Sequence, residues 1–213
     1  MIVNERIVSY MHSLEKNNSQ VLEQIEIEAH KDNVPIIRKE MESFLRVILA
    51  IKKPKRILEL GTAVGYSAIL ISECLDEDGK ITTIENYEKR IPIARENFRR
   101  TGREEQITLL EGDAASWLKK LEEPYDLIFM DAAKGQYPIF LPEIKRLMHS
   151  GSVLVTDNVL QDGDIIESHF IVTRRNRTIY KRMREYLYEL THSDELVTSV
   201  LPIGDGITVS VKK

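Results

Sequence analysis

Residues Arg56-Ile57-Leu58-Glu59-Leu60 form a short apolar run that meets Gly61-Thr62-Ala63-Val64-Gly65 and continues into Tyr66-Ser67, the start of a helical pattern. A strand that enters a glycine turn and leaves as a helix restricts the chain to a small set of α/β folds, in which that turn is a nucleotide-type ligand site. Glycines at 61 and 65 let backbone approach a ligand with no Cβ in the way, and the helix that follows presents amides without intrahelical acceptors. The spacing G-x-x-x-G is not the dinucleotide fingerprint G-x-G-x-x-G, which disfavours a nicotinamide oxidoreductase, and the lysine of a phosphate-binding loop is missing. Glu59, two residues before the first glycine, would repel a pyrophosphate and suits a cationic ligand.

Around this segment the hydrophobic rhythm changes once. Before it, Ile7, Met11 and Leu14, then Val21, Leu22 and Ile25, then Ile37, Met41, Phe44, Leu45 and Ile48 recur at helical spacing, with Pro35 near the first turn of the third helix. After Pro54, short apolar runs at 56–60, 80–85, 107–111, 125–131 and 152–157 alternate with helical stretches. That is a parallel βα series. Runs at 196–203 and 207–211 flank Gly204-Asp205-Gly206 and read as a terminal hairpin. The expected fold is α/β, a Rossmann-like seven-stranded, mostly parallel sheet with one antiparallel member and extra N-terminal helices. With 213 residues and 42% hydrophobic content, one domain over 1–213 suffices, as a helical cover (1–53) on a core (54–213). The single Cys74 excludes an internal disulfide and a multi-cysteine zinc site. Charge at Glu5 and Arg6 where a signal peptide needs an apolar run, and no stretch near the ~20 apolar residues of a membrane span, lead to the expectation of a cytoplasmic protein without a membrane partner.

In such a sheet, ligands gather at the carboxyl ends of the strands. Glu85 closes the second strand roughly twenty residues beyond the glycine loop, where a carboxylate can accept from both ribose hydroxyls; alone it would also pass for a solvated strand end. Gly112-Asp113-Ala114 ends the third strand as a cofactor contact or an ordinary turn. Ser67 can cap the helix or bind a ligand carboxylate, and Tyr66 reads as packing. Asp131 follows the fourth strand, with Lys134 nearby, and Asp157-Asn158 follows the fifth. Adjacent strands lie ~4.8 Å apart, so two carboxylates and an amide oxygen can surround one small volume. These hard ligands suit Mg²⁺ or a similar divalent ion such as Mn²⁺; the alternative is two unrelated helix-capping aspartates.

The ordered set LELGTAVGYS, FMDAAK, TDN and PIGDGI resembles the cation-dependent class I O-methyltransferases of the catechol and caffeoyl-coenzyme A type, over nearly the whole chain. The resemblance implies S-adenosylmethionine as donor, Asp131, Asp157 and Asn158 as metal ligands, Asp131 also beside the cofactor, and Lys134 as the catalytic lysine. It further implies cofactor contacts from Glu59, Ser67, Glu85, Ala114 and a backbone position matching Val34, and N-terminal helices that cover the cofactor or build a homodimer. The chemistry is consistent. A neutral hydroxyl is a poor nucleophile, metal coordination acidifies and aligns it, and the lysine amine accepts its proton.

Acceptor choice falls to the region between Asp157 and the hairpin, which contains Arg174-Arg175-Asn176-Arg177-Thr178-Ile179-Tyr180-Lys181-Arg182-Met183-Arg184. Six cations in eleven residues with no acid stand out in a chain of net charge −4; they read as a solvated helix face or as phosphate contacts, with Arg174, Arg175, Arg177, Lys181 and Arg182 the candidates. Tyr180, Met183 and Leu187 fit a core stripe better than a base-stacking role. The pattern looks like a bacterial branch that methylates 5-hydroxyuridine at the tRNA wobble position, in the anticodon loop. The alternative acceptor is a small catechol or hydroxycinnamoyl-type molecule. A non-catalytic RNA-binding module is disfavoured by the intact Asp131, Lys134, Asp157 and Asn158.

Overall fold

The computed structural model describes residues 3–168 and 172–213; residues 1 and 2, and 169–171 within the region expected to choose the acceptor, lie outside the described residues. Strands β1 (Arg56–Leu60), β2 (Lys80–Glu85), β3 (Ile107–Glu111), β4 (Tyr125–Met130), β5 (Met148–Thr156), β6 (Leu196–Leu201) and β7 (Ile207–Lys212) form one sheet in the order β3-β2-β1-β4-β5-β7-β6. β1 to β5 run parallel and β7 alone runs against them, as expected. β5 begins at Met148 rather than 152, and its pairing with β4 shifts register between Tyr125 and Leu127.

Apolar runs in the central strands are continuous because both faces are covered. Ile57, Phe129 and Val155 point to the side packed by α2 (Gln20–Lys31), α3 (Lys39–Lys52), α4 (Tyr66–Glu73) and α5 (Ile91–Arg100). Leu58, Leu60, Ile128, Met130 and Leu154 point to the side of α6 (Ala114–Leu118), α7 (Tyr137–Arg146) and α8 (Arg177–Thr191). In α8 the stripe is core: Tyr180, Met183, Tyr186 and Leu190 are buried. Among the described residues, no helix is long and apolar enough to cross a membrane.

The N-terminal part departs from the sequence reading at α3 and adds to it at α1. Arg38 is still extended, so α3 starts at Lys39 and Pro35 belongs to the segment before it, not to the helix's first turn. In α1 (Glu5–Ser13), Val8 is buried, whereas Ile7 and Met11, and Leu14 just beyond, are exposed. Apolar periodicity marked that helix correctly but not which side of it packs on α3.

The order of the sheet reverses between β1 and β4, and a pocket of about 650 Å³ opens at the carboxyl ends there. Leu60 pairs with Ile84 and Met130, and Met130 with Thr156, which brings residues 61, 85, 131 and 157 to one edge. The glycines of the loop also serve the interior. At Gly61 (φ +100°) a Cβ would lie 2.1 Å from the Asp131 carbonyl oxygen, and at Gly65 (φ +84°) one would lie 2.5 Å from the Phe98 ring. Their missing Cβ atoms let the loop press against β4 and α5, and Gly61 lines the pocket as well.

Candidate active site

At one end of the pocket the loop after β1, the start of α4, Glu85, Asn86 and Tyr87 after β2, and Gly112, Asp113 and Ala114 after β3 form the walls. Glu85 accepts from the Ala63 amide at 2.7 Å through one oxygen and from the Asn86 and Tyr87 amides at 3.0 and 2.8 Å through the other. It therefore shapes the glycine loop as well as facing the pocket. Asp113 caps α6, accepting from the Ser116 amide at 2.9 Å. It also lines the pocket. Ser67 is not the helix cap: α4 starts from Gly65 without a side-chain cap, and the Ser67 hydroxyl donates to Glu59 at 2.6 Å.

Two residues expected at the cofactor sit behind the wall. Glu59 is fully buried, holding Ser67 and Thr83, and is not among the pocket-lining side chains. Burial pushes its carboxyl up to about 7 despite those two hydrogen bonds. Val34 packs against the core, and the wall begins one residue later at Pro35 and runs through Arg38. The first-turn amides of α4 have no intrahelical acceptors and lie at the pocket, a suitable place for an anion.

At the other end stand Asp131, Lys134, Asp157 and Asn158. Asn158 serves both carboxylates: its side-chain nitrogen donates to Asp131 at 3.0 Å and its backbone amide to Asp157 at 2.6 Å. It does so from a left-handed backbone, φ +63°, a conformation that asparagine tolerates better than most residues. Burial and the charge of Asp131 push the Asp157 carboxyl up to about 7. Burial also raises Asp131, with Lys134 and Asn158 working the other way. Beneath them the buried Tyr137 hydroxyl lies 3.2 Å from the Asp157 carbonyl and 3.3 Å from the Ala132 carbonyl, so the two strand ends share one donor. Two carboxylates, Asp157 buried and Asp131 half-buried, with so few donors form a site of hard oxygens suited to a cation. Among the described residues there is no group of three or more His, Cys, Asp or Glu arranged for a metal.

The basic segment divides. Arg174, Arg175 and Lys181 are exposed, with Lys181 3.7 Å from Glu185. Arg177 and Arg182 are half-buried and donate to the Val172 and Gly135 carbonyls at 3.1 and 2.7 Å, so part of their hydrogen-bonding capacity holds the fold. The Arg182 contact sets α8 against the short 3-10 turn Lys134–Gln136. Sequence reading passed over Arg38, Tyr87, Arg90 and Asp205, which also line the pocket. Asp205 had a signal, a Gly-Asp-Gly turn, which was read as the hairpin's bend and as part of the PIGDGI motif but not as a site residue.

A model of the O-methyltransferase family matches residues 11–213. A catechol O-methyltransferase from Niastella koreensis is 35% identical over 130 residues, which is 59% of this chain and 59% of that one, so the match spans less than two thirds of that relative. Caffeoyl-CoA O-methyltransferase 2 from Populus trichocarpa is 28% identical over 194 residues, 84% of this chain and 76% of that one. Among solved structures, the O-methyltransferase from Bacillus cereus in complex with SAH superposes with a TM-score of 0.87 at 25% identity, over 98% of this chain and 97% of that one. Because the family match takes in every strand of the sheet and every wall of the pocket, the chain belongs to the O-methyltransferase family, whose enzymes move a methyl group from S-adenosylmethionine to oxygen.

Proposed function

We propose that the protein methylates the 5-hydroxyl of 5-hydroxyuridine at the tRNA wobble position, using S-adenosylmethionine and a divalent cation, Mg²⁺ or Mn²⁺. The observation that carries this reading is the juxtaposition of the Asp131, Asp157, Asn158 and Lys134 end of the pocket with a basic segment, linked by the Arg182 bond to Gly135. The donor set fits a divalent ion. Two buried carboxyls that burial shifts toward the protonated form are groups whose charged state a cation would restore. An asparagine amide can present its oxygen in place of its nitrogen by a half-turn.

Asp131, Asp157 and Asn158 would hold the cation, which would supply acidification of the acceptor hydroxyl. Lys134 accepts the hydroxyl proton as the methyl leaves the sulfonium, whose electron pair returns to sulfur. Amides of the first turn of α4 hold the donor's carboxylate, Glu85 its ribose hydroxyls, and residues 112–114 its adenine. A wobble base lies in a single-stranded loop and can enter the pocket without duplex melting. Arg174 and Arg175 are exposed and are the candidates for phosphate contact on this reading.

Mass spectrometry of tRNA nucleosides tests the reading: deletion of the gene should remove 5-methoxyuridine and accumulate 5-hydroxyuridine, and an unchanged nucleoside profile refutes it. The second reading, a small catechol or hydroxycinnamoyl-type acceptor, is favoured by the names of the relatives. It requires turnover of free catechols that is indifferent to Arg174→Ala and Arg175→Ala. Exposed Ile7, Tyr10 and Met11 on α1 and Val47 and Ile51 on the adjoining α3 support a homodimer through that face. Sedimentation should give a dimer that Met11→Glu weakens; a wild-type monomer at micromolar concentration would remove the idea.

A further inference from the structure

We propose that Glu59 is a positioning residue for the donor end: by taking up a proton it turns the Ser67 hydroxyl from donating inward, to Glu59 itself, to donating outward, to the carboxylate of the methyl donor. The inference deepens the reading above and rests on its placing of that carboxylate at the first turn of α4. A serine hydroxyl has one proton and gives it in one direction at a time. Ser67 lines the pocket, yet its hydroxyl donates inward to Glu59 at 2.6 Å. The side of the oxygen left facing the pocket offers lone pairs, which repel an anion. The amides of the same turn, free of intrahelical acceptors, suit one. A proton on Glu59 removes that conflict.

The buried chain behind the wall fixes where the proton goes. Glu59 is fully buried, and its second oxygen accepts from Thr83, which meets Thr62 at 2.6 Å; both threonines are buried as well. With Thr62 donating to Thr83 and Thr83 to Glu59, that oxygen serves as an acceptor, and the proton belongs on the oxygen facing Ser67. From there it donates to Ser67 and releases the serine proton toward the pocket. The balance is one proton taken from solvent for each donor molecule bound to the ionised form, with no covalent bond made or broken. The surroundings favour this uptake. On α4 the facing group is Ser67, since Tyr66 turns its hydroxyl to Glu42 at 2.7 Å. The charges that act on Glu59, Asp131 after β4 and Glu85 at the end of β2, are both negative. Burial first, and then those charges, hold its carboxyl up at about 7 against the two hydroxyl donors.

The experiment is calorimetry of SAH binding to the full chain in chelator, in pairs of buffers of different ionisation enthalpy, which counts the protons taken up. Wild type should take up almost none at about pH 6, about half a proton at about pH 7 and close to one at about pH 8, because the raised carboxyl is already protonated below about 7. Affinity should accordingly be full at low pH and fall about three- to tenfold between about pH 7 and about pH 8. Glu59→Gln supplies an amide that donates to Ser67 without titrating, so uptake should vanish and affinity should hold the wild-type low-pH level throughout. Ser67→Ala should bind more weakly at about pH 6 and take up no proton. Wild-type binding without uptake overturns the proposal, and so does uptake that persists in Glu59→Gln, which would belong to Asp131 or Asp157. If Glu59→Gln does not fold, the wild-type count and Ser67→Ala decide. Ser67→Ala that binds SAH as tightly as wild type removes the donor's carboxylate from this turn, and the proposal with it. Weakened binding by Ser67→Ala with no wild-type uptake leaves the carboxylate placed there, and the proposal alone falls.

Discussion

Glu85 at the donor end holds three backbone amides within 3.0 Å, whereas at the acceptor end Asp131 and Asp157 depend on one residue, Asn158, for the side-chain and backbone donors they receive among the described residues. The donor end is therefore organised by the chain itself: its carboxylate fixes the loop, and the loop's glycines are locked against β4 and α5. At the acceptor end burial concentrates negative charge without matching donors, and Asp157 sits at about 7 as a result. One half is finished by folding and the other, on the proposed reading, by a cation. The halves meet at residue 131, whose carbonyl packs on Gly61 while its carboxylate faces Asn158.

The largest effect should come from Asp157→Ala, which removes a carboxylate from the unfinished half only. Transfer should fall by about 10³-fold or more, while the SAH dissociation constant stays within roughly threefold. Asp131→Ala should lose transfer comparably but disturb SAH binding more, because residue 131 touches both halves. If Asp157→Ala impaired SAH binding as severely as transfer, the two ends would not be separable. Next comes Lys134→Ala, expected to lower kcat by about 10²- to 10³-fold at unchanged thermal midpoint; a near-normal rate would mean that the cation alone activates the hydroxyl. From the other side, Glu85→Gln should weaken SAH binding by about tenfold and leave Mn²⁺ affinity unaltered, as calorimetry of each ligand would report.

The smallest effect is on stability. Asp157 and Glu59 carry carboxyls raised to about 7 in the folded chain, above the range of an unfolded carboxylate, so the folded state holds protons that the unfolded state releases. The stability they contribute is fully present below the unfolded range and is lost as pH rises through about 7. In chelator the thermal midpoint should therefore fall by a few degrees between about pH 6 and about pH 8, and Asp157→Asn should flatten that fall. Added Mg²⁺ should raise the midpoint more at the higher pH. Identical curves for wild type and Asp157→Asn would show that the acceptor end is not strained by its own charge.

The two halves were also unequally legible in the sequence. β1, β2 and β3 occupy the residues at which apolar runs replaced helical spacing, and the terminal hairpin followed from Gly204-Asp205-Gly206. Residue types at strand ends located Glu85, Asp131 and Asp157, because a parallel sheet delivers its strand ends to one edge whatever the helices do. Local pattern did not carry the partners. Gly65 is small because Phe98 lies against it, Ser67 turns to Glu59, and Arg182 is drawn to Gly135; each depends on a residue brought close only by folding. The same limit explains why the helical spacing of Ile7, Met11 and Leu14 did not tell that they are exposed, and why Pro35 read as near a helix's first turn. Periodicity reports that a face is apolar, not what covers it.

The most direct test of the two halves is a paired measurement on the wild-type enzyme in excess EDTA: SAH binding by calorimetry, and methyl transfer to tRNA bearing 5-hydroxyuridine. SAH affinity should stay within about twofold of its value with Mg²⁺, while transfer falls to background and returns when Mg²⁺ is added in excess. Full transfer in chelator, or SAH binding that itself requires the cation, would contradict the division of the site into a half completed by folding and a half completed by a metal.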